Sequence, residues 1–390
     1  MKKIGLYLGS EPSSGGAFQY GLAMLEAVTA LQGRDYDVLV DYSSKSWVSV
    51  LKEYDVPIFH IPLRSYEMNI ALWWRRFGLP TNLWRNIARK FHTFTKYFIQ
   101  AKCDLWIFPS QDIWGYRLPV PALCAIHDLM HRYERRFSEV SAFGRYTRRE
   151  AHYRDICKWS AGILVDSNVG KQQVVESYGV HPDKVHVLPF IPSKYIYSDK
   201  IPDGFDLRYS LPPKFIFYPA NFWTHKNHFN LIKAVAYLKS NVPDLKLVFV
   251  GAKKNGYDTV VRMVNDLGLD DSILFLGYVP DEDITEIYRR ARAMVMPTFF
   301  GPTNIPPLEA FDVGCPVAVS NIYGMPEQVG DAALLFDPNK VEEIANAIFL
   351  LWTDDMLCQH FRELGKKRAS KWGQQEFNER LLHIIQVVLG

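Results

Sequence analysis

Short runs of apolar residues recur along this chain, and stretches with helical spacing lie between them. The first run is Lys3-Ile4-Gly5-Leu6-Tyr7-Leu8; a loop from Gly9 to Gly16 follows, then a helical pattern over Phe18 to Leu31. A buried strand, a glycine-bearing loop and a helix in that order predict the opening unit of a doubly wound α/β domain. Further strands are predicted at Tyr36 to Tyr42, Leu105 to Pro109, Ala122 to Ile126 and Gly162 to Asp166. After the last, a helix is predicted over Asn168 to Tyr178, with Gly179 placed to stop it.

Residues 188–214 have a different texture. Pro189, Pro192, Pro202, Pro212 and Pro213 put five prolines into 27 residues, against 23 in the whole 390, which reads as a linker. Beyond it the plan repeats: a strand at Lys214 to Tyr218, a loop from Pro219 to Asn227 and a helix over Phe229 to Lys239. Strands follow at Leu245 to Gly251, Ser272 to Leu276, Ala293 to Met296 and Pro316 to Val319, with helices between them. Such alternation in both halves predicts two Rossmann-like parallel-sheet domains facing across a cleft. The predicted boundaries are 1–195, a linker at 196–213, a second domain at 214–372, and an amphipathic helix in 373–390 that packs back on the first domain. Ligands of such sheets bind at the carboxyl ends of strands, so the cleft is the expected site.

Composition narrows the class. About 150 residues per domain gives two or three domains for 390 residues. With 48% apolar and 22% charged residues the chain is neither disordered nor collagen-like. Lys+Arg minus Asp+Glu is 45 − 42 = +3, so no global basic field announces nucleic acid. The cysteines (Cys103, Cys124, Cys157, Cys315 and Cys358) are odd in number, far apart and without a CxxC pair. Neither a disulfide framework nor a zinc site is expected, and a reducing compartment is. Met1-Lys2-Lys3 resembles a signal-peptide start, but Ile4 to Leu8 is too short for its apolar region, and no segment reaches the length of a membrane helix. A cytoplasmic protein is expected.

The richest stretch runs from Met296 to Phe311, Met-Pro-Thr-Phe-Phe-Gly-Pro-Thr-Asn-Ile-Pro-Pro-Leu-Glu-Ala-Phe. A strand ends near Met296, and a helix is predicted to begin near Pro307, where a missing N–H costs nothing. The first amides of that helix would point into the loop and suit a phosphate. Glu309 falls in the predicted first turn. It either serves a ligand there or merely complements the helix dipole, and the residues alone do not choose.

Several blocks in order resemble a known family. Pro306-Pro307-Leu308-Glu309-Ala310, Gly314-Cys315-Pro316-Val317-Ala318-Val319-Ser320, Met325-Pro326-Glu327, Val329-Gly330-Asp331-Ala332 and Phe336-Asp337-Pro338 resemble the C-terminal domain of family 4 glycosyltransferases. That resemblance implies a GT-B fold and retaining transfer from a nucleotide diphosphate sugar, with no cofactor and no metal. Leu247 to Gly251 and Phe275 to Val279 resemble the family's strands near the nucleotide base, which makes Tyr278 and Val279 donor-binding candidates. Tyr218 to Asn227 resembles its phosphate loop, and Gly15-Gly16 and Ile126-His127-Asp128-Leu129 also match.

The family signature has two glutamates separated by seven residues. The second falls on Glu309, implied to hold the ribose hydroxyls; the first falls on Gly301, which has no side chain. Backbone donors at Thr303, Asn304 and Ile305 remain candidates for the pyrophosphate and sugar. The resemblance puts Lys226 on the departing diphosphate, where an ammonium stabilises charge that grows as the sugar leaves. Where the family often has a basic pair, this chain has Asn221 at the arginine position and His225 beside the lysine. Gly15-Gly16 is implied to face the donor phosphate. His127 is implied to lie near the donor sugar as a hydrogen-bond donor, with Asp128 its runner-up.

Two further stretches carry charge. Asp281-Glu282-Asp283 reads as an N-cap with an acidic first turn rather than a metal site. Residues 64–102 hold eight basic residues and one acid, Glu67, interleaved with Trp73, Trp74, Phe77, Trp84, Phe91, Phe94, Tyr97 and Phe98. That face suits a membrane surface or a lipid-linked acceptor slightly better than a core-packed helix with a solvated side. No nucleic-acid motif accompanies it. The expected function is transfer of a sugar to a glycan or lipid-linked acceptor in surface polysaccharide assembly. One rival is a silent nucleotide-sugar or glycan-binding subunit. The other is a nicotinamide oxidoreductase, which Gly9-Ser-Glu-Pro-Ser-Ser-Gly15-Gly16 does not fit, lacking GxGxxG.

Overall fold

The computed structural model of the chain describes residues 1–11, 15–62 and 64–390. The middle of the predicted Gly9 to Gly16 loop, residues 12–14, lies outside them. Two compact units account for the described residues. The first comprises Met1–His131, Phe143–Ile191 and Gln374–Gly390; the second comprises Arg132–Ala142 and Pro192–Gly373.

The first unit carries β1 (Lys2–Leu8), β2 (Tyr36–Tyr42), β3 (Ile58–His60), β4 (Leu105–Phe108), β5 (Ala122–Ala125), β6 (Gly162–Val165) and β7 (Val185–Val187). They form one parallel sheet in the order β3-β2-β1-β4-β5-β6-β7, with Ile4 opposite both Val38 and Leu105. Strands β4, β5 and β6 carry no charged residue and are buried at every position because helices cover both faces. The helix Asn168–Tyr178 has the predicted bounds. Ser167 Oγ accepts from the Gly170 N–H at 3.0 Å, and Gly179 ends the helix at φ 63°. The C-terminal helix Gln374–Leu389 belongs to this unit and buries Phe377, Leu381, Ile384 and Ile385.

The second unit carries β8 (Ile216–Pro219), β9 (Leu247–Val250), β10 (Ile273–Gly277), β11 (Ala293–Met296), β12 (Val317–Ser320) and β13 (Ala333–Phe336). Their order is β10-β9-β8-β11-β12-β13, again parallel throughout, and Phe217 stands opposite Val248 on one side and Met294 on the other. Residues 192–213 are part of this unit and not featureless. They include the 3-10 turn Lys194–Tyr197 and the helix Phe205–Tyr209, with Ile196 and Phe205 in the unit's core.

Strands β3, β7 and β13 were not predicted, and each lies at an edge of its sheet. An edge strand is short and partly wet, so its apolar signal fades. In β3 only Ile58 is even half-buried.

Candidate functional site

In each sheet the chain order reverses between two neighbouring strands, and the loops leaving those strands part there. In the second unit the pair is β8 and β11. The loop after β8 ends in the 3-10 turn Thr224–Lys226, and the loop after β11 ends at Asn304. Asn227 pins the first loop to the second. At φ 60° it caps the helix His228–Leu238, and its Nδ2 donates to Pro297 O and Pro338 O at 2.9 Å each. Tyr218 donates to Lys226 O at 2.7 Å. Held from both sides, Lys226 extends its Nζ to Asn304 Oδ1 at 3.1 Å.

Asn304 is the N-cap of the helix Ile305–Val313. The helix therefore starts two residues before the predicted Pro307, because both prolines fit in a first turn that needs no N–H from them. Two expectations change. Glu309 lies in the second turn, too far along to complement the dipole. The Asn304 N–H donates to Gln328 Oε1 at 3.0 Å, while Gln328 Nε2 donates back to Asn304 O at 2.6 Å. With Pro306 and Pro307 lacking an N–H, Ile305 keeps the one amide of that turn with which to meet an anion. Thr303 is buried.

Gly301 sits at φ 136°, and a Cβ there would lie 2.4 Å from Asn304 Nδ2. The Asn304 side chain thus occupies the space into which a residue at 301 would grow. A glutamate there would need both an unfavourable backbone and a displaced asparagine.

Glu309 is buried and accepts from three hydroxyls. Oε1 accepts from Ser193 at 2.5 Å and Tyr195 at 2.6 Å, and Oε2 accepts from Tyr288 at 2.8 Å. Burial raises this carboxyl above its ordinary range, and the three hydroxyl bonds oppose that rise without cancelling it. A carboxylate offers about four lone-pair positions, so one remains, on Oε2. A grip on both ribose hydroxyls at once would require a resident hydroxyl to leave.

The remaining second-unit candidates divide. Asn221 Oδ1 accepts from Ala252 N at 2.7 Å, tying the loop after β8 to the loop after β9. His225 turns its ring to Glu139, 2.9 Å from Nδ1. Tyr278 is 75% exposed at the carboxyl end of β10, and Val279 turns into the core. Asp281, Glu282 and Asp283 all lie in the first turn of the helix Asp281–Arg290, whose N-cap is Pro280 rather than one of the acids. Asp283 accepts from Arg208 at 2.7 Å and Tyr209 at 2.6 Å. The structure thus brings together Lys226, Gly301, Asn304 and Ile305. Gln328 and the hydroxyls around Glu309 are additions. Gln328 follows directly on the Met325-Pro326-Glu327 block, whereas nothing local marks Ser193 or Tyr195.

In the first unit, Gly15 caps the helix Gly16–Thr29 at φ 57° and ψ −121°, and among the described residues no atom beyond its chain neighbours stands within 4 Å of where its Cβ would be. The open space and positive φ explain the glycine without any close contact. His127 follows β5, and its Nε2 lies 2.8 Å from Pro109 O. A carbonyl only accepts, so Nε2 carries the proton; burial lowers the ring's pKa and favours the neutral form. The expected donor role is thereby reversed, since the remaining Nδ1 of a neutral ring is an acceptor. Asp128 pairs with Arg149 and accepts from Met130 N at 2.9 Å, a structural engagement.

Residues 64–102 form three helices, Ser65–Arg76, Thr81–Phe91 and Thr93–Gln100. Trp84, Phe94 and Phe98 enter the core, while Tyr66, Ile70, Trp73, Phe77, Leu83 and Phe91 stay exposed. A groove of about 400 Å³ runs between Tyr66, Trp73, Trp74 and Phe77. Glu67, the segment's one acid, is buried and accepts from Phe94 N at 3.1 Å. Arg85 is bound to Tyr116 O and Leu118 O, but Arg64, Arg76, Arg89, Lys90, Lys96 and Lys102 are exposed.

A parallel sheet with a lysine and a helix N-terminus at its switch point defines a Rossmann-like unit suited to an anionic ligand. Residues 204–368 match the family model of glycosyl transferases group 1. Over 103 residues, 26% of either chain, the sequence is 42% identical to O-antigen chain mannosyltransferase B of Escherichia coli. It is 25% identical over 264 residues to the serotype-specific mannosyltransferase WbdA of Escherichia coli, covering 65% of this chain and 32% of that one. The chain thus spans only about a quarter to a third of the length of these curated relatives. The structure of Anabaena Alr3699/HepE in complex with UDP and glucose is similar at a TM-score of 0.74. Identity is 17%, and the match covers 99% of this chain and 100% of that one. The fold is therefore that of the GT-B glycosyltransferases, with two Rossmann-like parallel-sheet domains.

Proposed function

We propose that this protein is a retaining hexosyltransferase. It moves a sugar, mannose by analogy with the relatives above, from a nucleoside diphosphate sugar to a hydroxyl of a glycan or lipid-linked acceptor in surface polysaccharide assembly. The observation that carries this reading is the meeting of Lys226 with Asn304, the cap of the Ile305–Val313 helix, inside the family's domain. The diphosphate would rest on the Lys226 ammonium and the Ile305 amide, and the lone pair left on Oε2 of Glu309 would accept one ribose hydroxyl. The bond from the anomeric carbon to the diphosphate breaks as the acceptor oxygen bonds to that carbon from the same face. The departing phosphate oxygen takes the acceptor proton. The protein supplies position and charge stabilisation, and the scheme calls for no metal ion.

A thermal-shift panel of nucleoside diphosphate sugars tests this. The true donor at 100 times its Kd adds about 2.7 kcal/mol of stability, and it should then be consumed when acceptor is supplied. No shift from any member and no transfer would refute the reading. Gly301, where the family signature has a glutamate, favours one alternative, a silent subunit that binds the nucleotide sugar; it predicts the shift without transfer.

The acceptor side is proposed to work at an anionic membrane surface, placing the protein on the cytoplasmic face. Among the described residues no helix is long and apolar enough to cross a membrane. The exposed rings and cations of residues 64–102, with their one acid buried, support binding at the interface. Flotation with anionic liposomes should carry the protein at low salt and release it as salt rises. Equal flotation with neutral liposomes would remove the electrostatic part, and none at all would return the face to ordinary surface.

A further inference from the structure

Residues 132–142 come from the first half of the chain yet belong to the second unit. The chain enters at Arg132 and turns back after Ala142 through two consecutive left-handed residues, Phe143 at φ 53° and Gly144 at φ 71°. A left-handed phenylalanine is uncommon and needs support from its surroundings. Phe143 itself is 89% exposed, and its carbonyl accepts from Arg148 Nη2 at 3.2 Å.

Residues 132–142 are fastened to the loops of the candidate site. Phe137 is buried against Phe299, ring centroids 5.7 Å apart, and Arg136 lies 4.4 Å over the Phe299 ring. Glu134 accepts from Tyr323 at 2.9 Å and from Arg136 at 2.8 Å. Glu139 makes the most directed contact. Its Oε1 accepts from the His225 backbone N–H at 3.1 Å and from Nδ1 of the same residue at 2.9 Å. Its Oε2 accepts from Asn255 Nδ2 at 3.3 Å, and Asn255 Oδ1 accepts from Thr224 N at 3.2 Å. Burial would raise the Glu139 carboxyl, but the His225 bonds hold it below its ordinary value. His225 O in turn accepts from Phe299 N at 2.8 Å.

We infer that residues 132–142 are a positioning strap for the phosphate-binding turn, and that Glu139, gripping His225 by main chain and ring, sets where Lys226 stands. Thr224, His225 and Lys226 form one 3-10 turn, so a carboxylate that holds the first two residues, through Asn255 and directly, orients the third. Asn221 at the position of the family's arginine is bound to Ala252, and the clamp adds a side-chain hold on Thr224 and His225 to the bonds that Tyr218 and Asn227 make at the end of the turn. The inference deepens the proposed function and rests on it.

The test is titration of the full chain with UDP, GDP and ADP, followed by kinetics with the donor the panel selects. Glu139→Ala should weaken the preferred nucleoside diphosphate and lower kcat/KM by about 10- to 100-fold, as a displacement near 1 Å does. Its melting temperature should stay within about 3 °C of wild type. Glu139→Gln keeps an acceptor oxygen for His225 and should recover most of the loss. Combining Glu139→Ala with Lys226→Ala should be no worse than Lys226→Ala alone, since both act on one group. A Glu139→Ala protein with wild-type affinity and rate, a glutamine variant as impaired as alanine, or additive losses in the double variant would each overturn the strap. If Lys226→Ala itself changes nothing, or no nucleoside diphosphate binds, the proposed function fails first.

Discussion

Replacing Lys226 by alanine is expected to lower turnover roughly 100-fold or more, about 2.7 kcal/mol of barrier at the least. The ammonium stands with the Ile305 amide at the switch point of the second sheet, where Pro306 and Pro307 lack an N–H and Gln328 accepts that of Asn304. Charge on the departing diphosphate grows along the reaction, so a fixed cation there favours the transition state over the bound donor. The loss should fall on kcat more than on donor KM. Lys226→Arg should recover part of it, since charge returns but as a planar fork in a place shaped for a point charge. Steady-state kinetics of the three proteins with the donor decide the matter. Wild-type turnover in the alanine variant would take Lys226 out of the chemistry.

Much of the fold was legible because the inner strands of covered parallel sheets carry short, nearly continuous apolar runs. Runs such as Leu247–Val250 and Ala293–Met296 stand out from the helices around them. Three of the four edge strands were missed where that condition fails. Part of the site was legible through the resemblance to family 4 glycosyltransferases, which picked out Lys226 and Asn304; the structure sets them on the loops after two neighbouring strands, β8 and β11. What escaped was long-range in sequence. Glu309 meets Ser193 and Tyr195 across more than 110 residues, inside a stretch whose prolines read as linker. Glu139 reaches His225 across 86. Periodicity carries no trace of such pairs, because each partner is polar and lies outside the regular runs. Proton direction escaped for a different reason: the donor role expected of His127 depended on which nitrogen faces Pro109, and only the backbone path decides that.

The second large effect is expected at Glu309, and on stability before catalysis. Glu309→Ala leaves the hydroxyls of Ser193, Tyr195 and Tyr288 without their common acceptor in a buried place. Unsatisfied buried groups cost about 1–3 kcal/mol each, and relaxation recovers some of that, so a loss of about 3 kcal/mol is expected. For a unit of this size that lowers its melting temperature by about 6–12 °C. Glu309→Gln should be milder, since its oxygen still accepts and a tyrosine hydroxyl can turn to accept from its amide. The pH dependence separates these variants further. Burial raises the Glu309 carboxyl above its ordinary 4.5, so the folded protein holds that proton to higher pH than the unfolded chain does. Its contribution to stability is complete below 4.5 and is lost as pH rises through the folded value. Glutamine has no such proton, so Glu309→Gln should gain on wild type as pH climbs from 4.5, and then hold a constant difference. Melting curves of wild type and both variants across that range measure this directly. An alanine variant that melts with wild type while its donor KM rises tenfold would mean that the hydroxyl cage contributes little, and that Glu309 serves the ribose above all.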